Sequence, residues 1–293
     1  MKNNRIDSRV YNLYDQYCHG QIDRRQFFDR AAAITVGGAS ALAMAKAMIP
    51  DYASGQEVKF TDERIRPTYV DYDSPGGNSG RMRGYLVTPQ GEGPFPAVLV
   101  IHENRGLNPY VEDVARRAAV AGFLALAPDG LSPVGGYPGN DDDGRAMQRA
   151  LDQDKLRQDM VNSAYYIKNH ELSTGKLGCT GFCWGGATSN FLAVTLGSDI
   201  QASVPFYGRA PATEDVGRIH AAMLLQYAED DGGVNSTRED YIEALEDNGV
   251  RYESYTYPNT MHGFHNYSTP RYNPVAAKLA WERTVAHWEQ FLK

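Results

Sequence analysis

Residues 176–186, Lys-Leu-Gly-Cys-Thr-Gly-Phe-Cys-Trp-Gly-Gly, lead from a strand-like segment directly into a helix-like one. A chain turns that sharply only where the residues two before and two after the corner lack a Cβ that would strike neighbouring backbone. Gly181 and Gly185 supply that room around Cys183. The pattern Gly-x-Cys-x-Gly is that of a nucleophile elbow, with a thiol in place of the commoner serine. It also sets the thiol at the N-terminus of a helix.

The surrounding pattern states what sheet the elbow belongs to. From about residue 57, strand-like segments alternate with helical ones. Segments 64–73 and 81–89 flank the turn cluster Pro75-Gly76-Gly77-Asn78. Segment 95–102 contains Ala97-Val98-Leu99-Val100-Ile101, an apolar run suited to a strand buried on both faces. Further strands are expected at 123–127, 176–182, 202–207, 222–227 and 251–257. Helices are expected at 111–121, 145–170, 184–196, 236–248 and 274–292, with a Gly-, Pro- and Asp-rich loop over 131–144. Alternation of this kind predicts an α/β fold with a mostly parallel sheet and helices on both faces. Sites in such sheets lie at the carboxyl ends of strands. His102-Glu103, Cys183, Asp230-Asp231 and His262 all follow expected strands.

Residues 1–56 read as a separate N-terminal extension and 57–293 as the catalytic domain. Two readings of the extension stand side by side. Arg24-Arg25-Gln26-Phe27-Phe28, followed by the Ala-rich stretch 31–45 and small-x-small patterns at 43–47, resembles a twin-arginine export signal, although Asp23 and Asp29 fit it poorly. Alternatively it is a retained helical hairpin. Asp7 would cap a first helix with Val10, Leu13, Tyr14 and Tyr17 on one face. Gly20 would stop that helix, Asp23 and Gln26 would form a capping box for a second, and Pro50 would end the pattern. The first reading places the protein in the periplasm and the second in the cytoplasm. The two are compatible, since the twin-arginine route carries folded proteins. An exposed helical arm also suits subunit contacts, so a homodimer is the favoured assembly.

Composition narrows the partners. The chain has 293 residues, 42% hydrophobic, with a net charge of −7. Mild acidity argues against nucleic acid, and no run of apolar residues long enough to span a membrane occurs. Three cysteines, Cys18, Cys179 and Cys183, do not describe a disulfide framework. Cys179, four residues before the elbow cysteine, reads as core. His262-Gly263-Phe264-His265 lacks a supporting ligand set, so no metal and no cofactor are expected.

After Cys183 come Asp231 and then His262, the order nucleophile, acid, histidine of an α/β-hydrolase. A helix N-terminus and a nearby imidazole both favour the thiolate. His262 would take the thiol proton and return it to the leaving oxygen, and Asp231 would hold the imidazole tautomer. Asp231 is preferred over its neighbour Asp230, which reads as a solvated turn residue. The backbone N–H groups of Trp184 and Asn104 are the expected oxyanion donors. Tyr137, Tyr207 and Arg209 are candidate pocket residues.

The motifs Gly181-Phe182-Cys183-Trp184-Gly185-Gly186, His102-Glu103, Pro128-Asp129, the Asp231 segment and Tyr257-Pro258 through His262-Gly263-Phe264 resemble the dienelactone hydrolase family, the cysteine branch of the α/β-hydrolases. The resemblance covers about residues 60–293. It implies an α/β-hydrolase fold, hydrolysis of a small ester or lactone, and a role for Glu103 in governing when the thiol ionises. It also points to Asp231 rather than Asp230. The family's dienelactone-cleaving members carry an arginine four residues after the histidine. Here that pocket position is Asn266, which favours a neutral ester or a different lactone. Two other functions remain open on the residues alone: a thiol-dependent acyltransferase or peptidase, and a non-catalytic binding protein of the same fold.

Overall fold

The structure is a computed structural model and describes residues 8–18, 21–22, 24–34 and 55–293. Two short helices, α1 (Ser8–Cys18) and α2 (Arg24–Ala32), precede the sheet domain. Val10, Tyr14 and Tyr17 are buried on α1, and Leu13, the fourth residue of the expected face, is half-buried. The expected caps Asp7 and Asp23, the stop Gly20, the cleavage patterns at 43–47 and Pro50 lie outside the described residues.

The sheet has eight strands: β1 (Ile65–Ser74), β2 (Gly80–Pro89), β3 (Phe95–Ile101), β4 (Leu124–Pro128), β5 (Ser173–Phe182), β6 (Ala202–Phe206), β7 (Ala222–Asp230) and β8 (Tyr252–Met261). Their spatial order is β1-β2-β4-β3-β5-β6-β7-β8. β2 runs antiparallel to β1 and β4, and every other pairing is parallel. This is the mostly parallel sheet the alternation predicts, in the arrangement of an α/β-hydrolase. The run from Ala97 to Ile101 has no exposed surface, because helices cover both faces of the sheet.

Helices α3 (Pro109–Val120), α4 (Asp141–Ala150), α5 (Gln153–Lys168), α6 (Trp184–Leu196), α7 (Arg238–Asp247) and α8 (Pro274–Leu292) fill the connections. One expectation is corrected here. The single helix expected over 145–170 is two helices, and the first begins inside the loop expected over 131–144. Leu151 takes an extended backbone conformation, and the Asp152 side chain accepts from the N–H groups of Asp154 at 3.0 Å and Lys155 at 3.2 Å. An aspartate that satisfies the first free N–H groups starts a new helix even within a continuous polar pattern. α4 is capped in turn by Asn140, whose Oδ1 accepts from the Asp143 N–H at 2.9 Å. Among the described residues, no helix is long and apolar enough to cross a membrane.

Candidate active site

The elbow is built on close backbone approaches. A Cβ on Gly181 would lie 2.2 Å from the carbonyl oxygen of Gly185. One on Gly185 would lie 2.4 Å from that of Ile101 and 2.5 Å from that of His102. Any side chain there would push α6 off the sheet. Cys183 itself takes φ 57° and ψ −112°, a conformation that side-chain-bearing residues rarely adopt. It is held by the Cys183 N–H donating to Phe206 O at 3.1 Å and the Ala187 N–H donating to Cys183 O at 3.0 Å. The result is a half-buried sulfur at the carboxyl end of β5. Cys179 is different: it is buried, its Sγ donates to Ser203 Oγ at 3.3 Å, and burial pushes its thiol up to about 11.

His262 follows β8 directly, and Asp231 follows β7. His262 Nδ1 and Asp231 Oδ2 are 2.7 Å apart. Asp231, not Asp230, meets the histidine. The two strand ends are tied together where the Asn259 N–H donates to Glu229 Oε2 at 2.7 Å and the Glu229 N–H donates to Thr260 Oγ1 at 3.2 Å. Burial disfavours a charged His262. The Cys183 charge, the Asp231 hydrogen bond and a hydrogen bond with the Cys183 side chain outweigh it, and the imidazole is raised to about 9. The imidazole is therefore held in its charged form at neutral pH.

Trp184 is the first residue of α6, so its N–H is one of those a helix leaves without an internal acceptor. Its indole stacks on His102, with ring centres 5.4 Å apart and planes 15° apart. His102 Nε2 accepts from the Gly130 N–H at 3.0 Å, so Nδ1 carries the proton and donates to Glu103 O at 2.5 Å. Burial lowers the pKa of His102, which keeps it neutral. This neutral ring joins the elbow to the loop carrying Glu103 and Asn104. Asn104 is half-buried in that loop.

Glu103 is only 1% exposed. Its Oε2 lies 3.1 Å from Arg105 Nη2 and accepts from Asn266 Nδ2 at 2.9 Å. Arg105 also meets Asp141 Oδ2 at 2.9 Å. Asn266 is fully buried, and its Oδ1 accepts from the N–H and hydroxyl of Ser268 at 3.0 and 2.6 Å. It is thus committed to the loop that holds Glu103 and presents no surface to a pocket. Sequence reasoning missed Arg105. Its position two residues after Glu103 was a signal only in retrospect, because its other partner lies 36 residues away.

The remaining candidates divide. Tyr207 is buried, takes φ 36°, and its ring centre lies 5.0 Å from that of His262. Arg209 is exposed and lines a cleft of about 280 Å³ with Asp230, Asp231, Met261 and His262. Asn12 and Gln21 line the same cleft, and nothing in their sequence context marked them. Tyr137 belongs elsewhere: its hydroxyl donates to Asp141 Oδ1 at 2.9 Å, and it lines a separate cleft with Tyr69 and Pro109. His265 does not face His262 as a second ligand would. Its Nδ1 lies 2.6 Å from the Tyr110 hydroxyl, and its ring stacks on Phe182. Among the described residues, no group of three or more His, Cys, Asp or Glu side chains is placed to hold a metal.

Comparison with known proteins gives a consistent result. The model of the dienelactone hydrolase family matches residues 82–292, and a YqhI-like model matches residues 1–36. The YghX hydrolase fragment of Escherichia coli strain K12 is 59% identical over 114 residues, covering 39% of the chain and 97% of that fragment. A protein of Aquifex aeolicus strain VF5 named as a carboxymethylenebutenolidase is 31% identical over 226 residues, covering 74% of the chain and 96% of that protein. The solved structure of P91, a dienelactone hydrolase-like promiscuous phosphotriesterase from metagenomic libraries, superposes with a TM-score of 0.67 at 24% identity. It covers 78% of the chain and all of P91, a likeness of fold.

Proposed function

The chain belongs to the dienelactone hydrolase family, and on that premise we propose that it hydrolyses small esters or lactones through a Cys183-His262-Asp231 triad and an acyl-thioester on Cys183. The observation that carries this reading is His262, bound to Asp231 through one ring nitrogen at 2.7 Å and interacting with the Cys183 side chain.

The thiolate adds to the carbonyl carbon, and the carbonyl electron pair moves onto oxygen. The N–H groups of Trp184 and Asn104 receive that oxyanion. As it collapses, the bond to the leaving oxygen breaks and the His262 imidazolium gives it a proton. Water, losing a proton to the now neutral His262, then adds to the thioester. Collapse of the second intermediate releases the acid and restores the thiolate. Asp231 keeps the imidazole in the required tautomer throughout.

In the arrangement described above, Glu103 positions the loop that carries Asn104. The family resemblance implies proton exchange between Glu103 and the thiol; here Arg105 and Asn266 both hold its Oε2. With Asn266 in place of an arginine, no cation at that position awaits a substrate carboxylate, so a neutral ester or another lactone is the favoured substrate. Residues 57–293 constitute the catalytic unit and 1–56 an extension to it.

The test is to quench a rapid reaction with p-nitrophenyl acetate in acid and weigh the peptide containing Cys183. Acetylation at that peptide is expected, with burst kinetics, and Cys183→Ala should lose both the adduct and turnover. Full turnover by Cys183→Ala would overturn the reading. Acetyl transfer to added alcohol or amine in preference to water would mark an acyltransferase instead.

A further inference from the structure

Helices of 11 and 9 residues are too short to persist alone in water. Yet Val10 and Phe27 of the N-terminal pair are wholly buried, and Tyr14 is 1% exposed. Contact between the helices, with Tyr17 stacked on Phe27 at 5.2 Å, accounts for part of this. Further cover comes from the catalytic domain. The Arg271 guanidinium lies 5.0 Å from the centre of the Tyr14 ring, and that of Arg145 lies 4.3 Å from the Tyr17 ring. Both arginines are largely buried, which strengthens a cation held over an aromatic face. Arg271 packs beside Gly263, the residue after the catalytic histidine. Arg145 belongs to α4, whose first residue, Asp141, holds Arg105.

So anchored, the hairpin brings Asn12 of α1 and Gln21 of the connecting turn to the cleft lined by His262, Met261, Asp231 and Arg209. We propose that this hairpin is the outer wall of a leaving-group subsite, and that Asn12 and Gln21 determine which alcohol portions the enzyme accepts. The inference rests on the triad reading. His262 delivers its proton to the departing oxygen, so the alcohol portion of the substrate sits against the histidine, which itself lines this cleft. Two primary amides and a guanidinium offer both donors and acceptors. They suit a hydroxylated alkyl group, or the hydroxyl-bearing arm of an opening lactone, better than a flat aromatic group. The role requires residues 8–34 to stay on the working protein, so a signal peptide cleaved at 43–47 is incompatible with it.

The test uses the full chain and kcat/KM, which for a shared acyl group reports the step that expels the alcohol. Glyceryl, ethyl and 2-naphthyl acetates vary the alcohol. Ethyl acetate, butyrate and hexanoate vary the acyl group. Asn12→Leu and Gln21→Ala are expected to lower the preference for glyceryl over ethyl acetate by about tenfold and to leave the acyl profile unmoved. Equal losses across all alcohols, or losses that follow the acyl series, would overturn the proposal. Phe27→Ala should release the hairpin, seen as faster tryptic cleavage at Arg25 and Arg30, and should erode the same preference. A released hairpin with the preference intact would also overturn it. Alkylation of Cys183 by iodoacetamide separates the two readings. Selective labelling with unmoved alcohol preference defeats the wall alone, whereas a parent protein with neither selective labelling nor ester turnover defeats the triad.

Discussion

Asp231 and Glu103 are both buried carboxylates just beyond the carboxyl ends of strands, yet their partners are of opposite kinds. Asp231 contacts a histidine, at 2.7 Å. Glu103 divides one oxygen between Arg105 at 3.1 Å and Asn266 at 2.9 Å. The difference lies in what each partner can do with a proton. Imidazole gives and takes one near neutral pH, so a carboxylate behind it tunes a reaction. Guanidinium and amide groups hold theirs throughout that range, so the part proposed for a carboxylate between them is to fix a shape. Burial alone therefore does not make an acidic residue catalytic. The partner's proton chemistry does.

The largest test of this contrast is His262→Ala, which should lower kcat on the order of 10⁵-fold toward p-nitrophenyl acetate. Asp231→Asn should follow at about 10⁴-fold, with little change in melting temperature. If Glu103→Gln matched Asp231→Asn in rate loss while leaving stability intact, the contrast would be broken, because Glu103 would then be moving protons. Arg105→Met should act on stability instead. It takes from the buried Glu103 and Asp141 the guanidinium they share, and urea unfolding should register a loss of about 3–5 kcal/mol. Turnover per folded molecule should fall far less than in the triad variants.

The smallest effect is on pH dependence. The pKa of His262 is raised to about 9, so the imidazolium that the proposed mechanism uses to protonate the leaving group persists through neutral pH and is lost as pH climbs through that value. The alkaline limb of kcat/KM should therefore fall near 9 and move lower in Asp231→Asn, which removes one of the interactions that raise it. The same sign governs stability. The contribution of this charged pair is complete below about 6.5, the ordinary value for histidine, and fades as pH rises through 9.

Features fixed by local sterics were legible in the sequence. Gly181 and Gly185 announce the elbow because nothing larger fits beside the carbonyls of Gly185 and Ile101. The apolar run at 97–101 announces a central strand because only full burial tolerates it. The break at Leu151 was hidden, since Asp152 differs from other surface acids only by capping the next helix. Arg105 and Asn266 were harder still. Their roles come from meeting Glu103, and Asn266 reaches it across 163 residues of chain. Asn12 and Gln21 are ordinary polar residues until the hairpin is docked.

The backbone at Cys183 has one more consequence. Because the aim of the side chain comes from the angles φ 57° and ψ −112°, held by Phe206 and Ala187, it does not depend on which atom ends that side chain. The corner is a socket, and the proposed nucleophile is a replaceable part. Exchanging sulfur for oxygen there would alter reactivity while leaving direction untouched. A lineage could therefore trade one chemistry for another by a single codon, without rebuilding the scaffold around it.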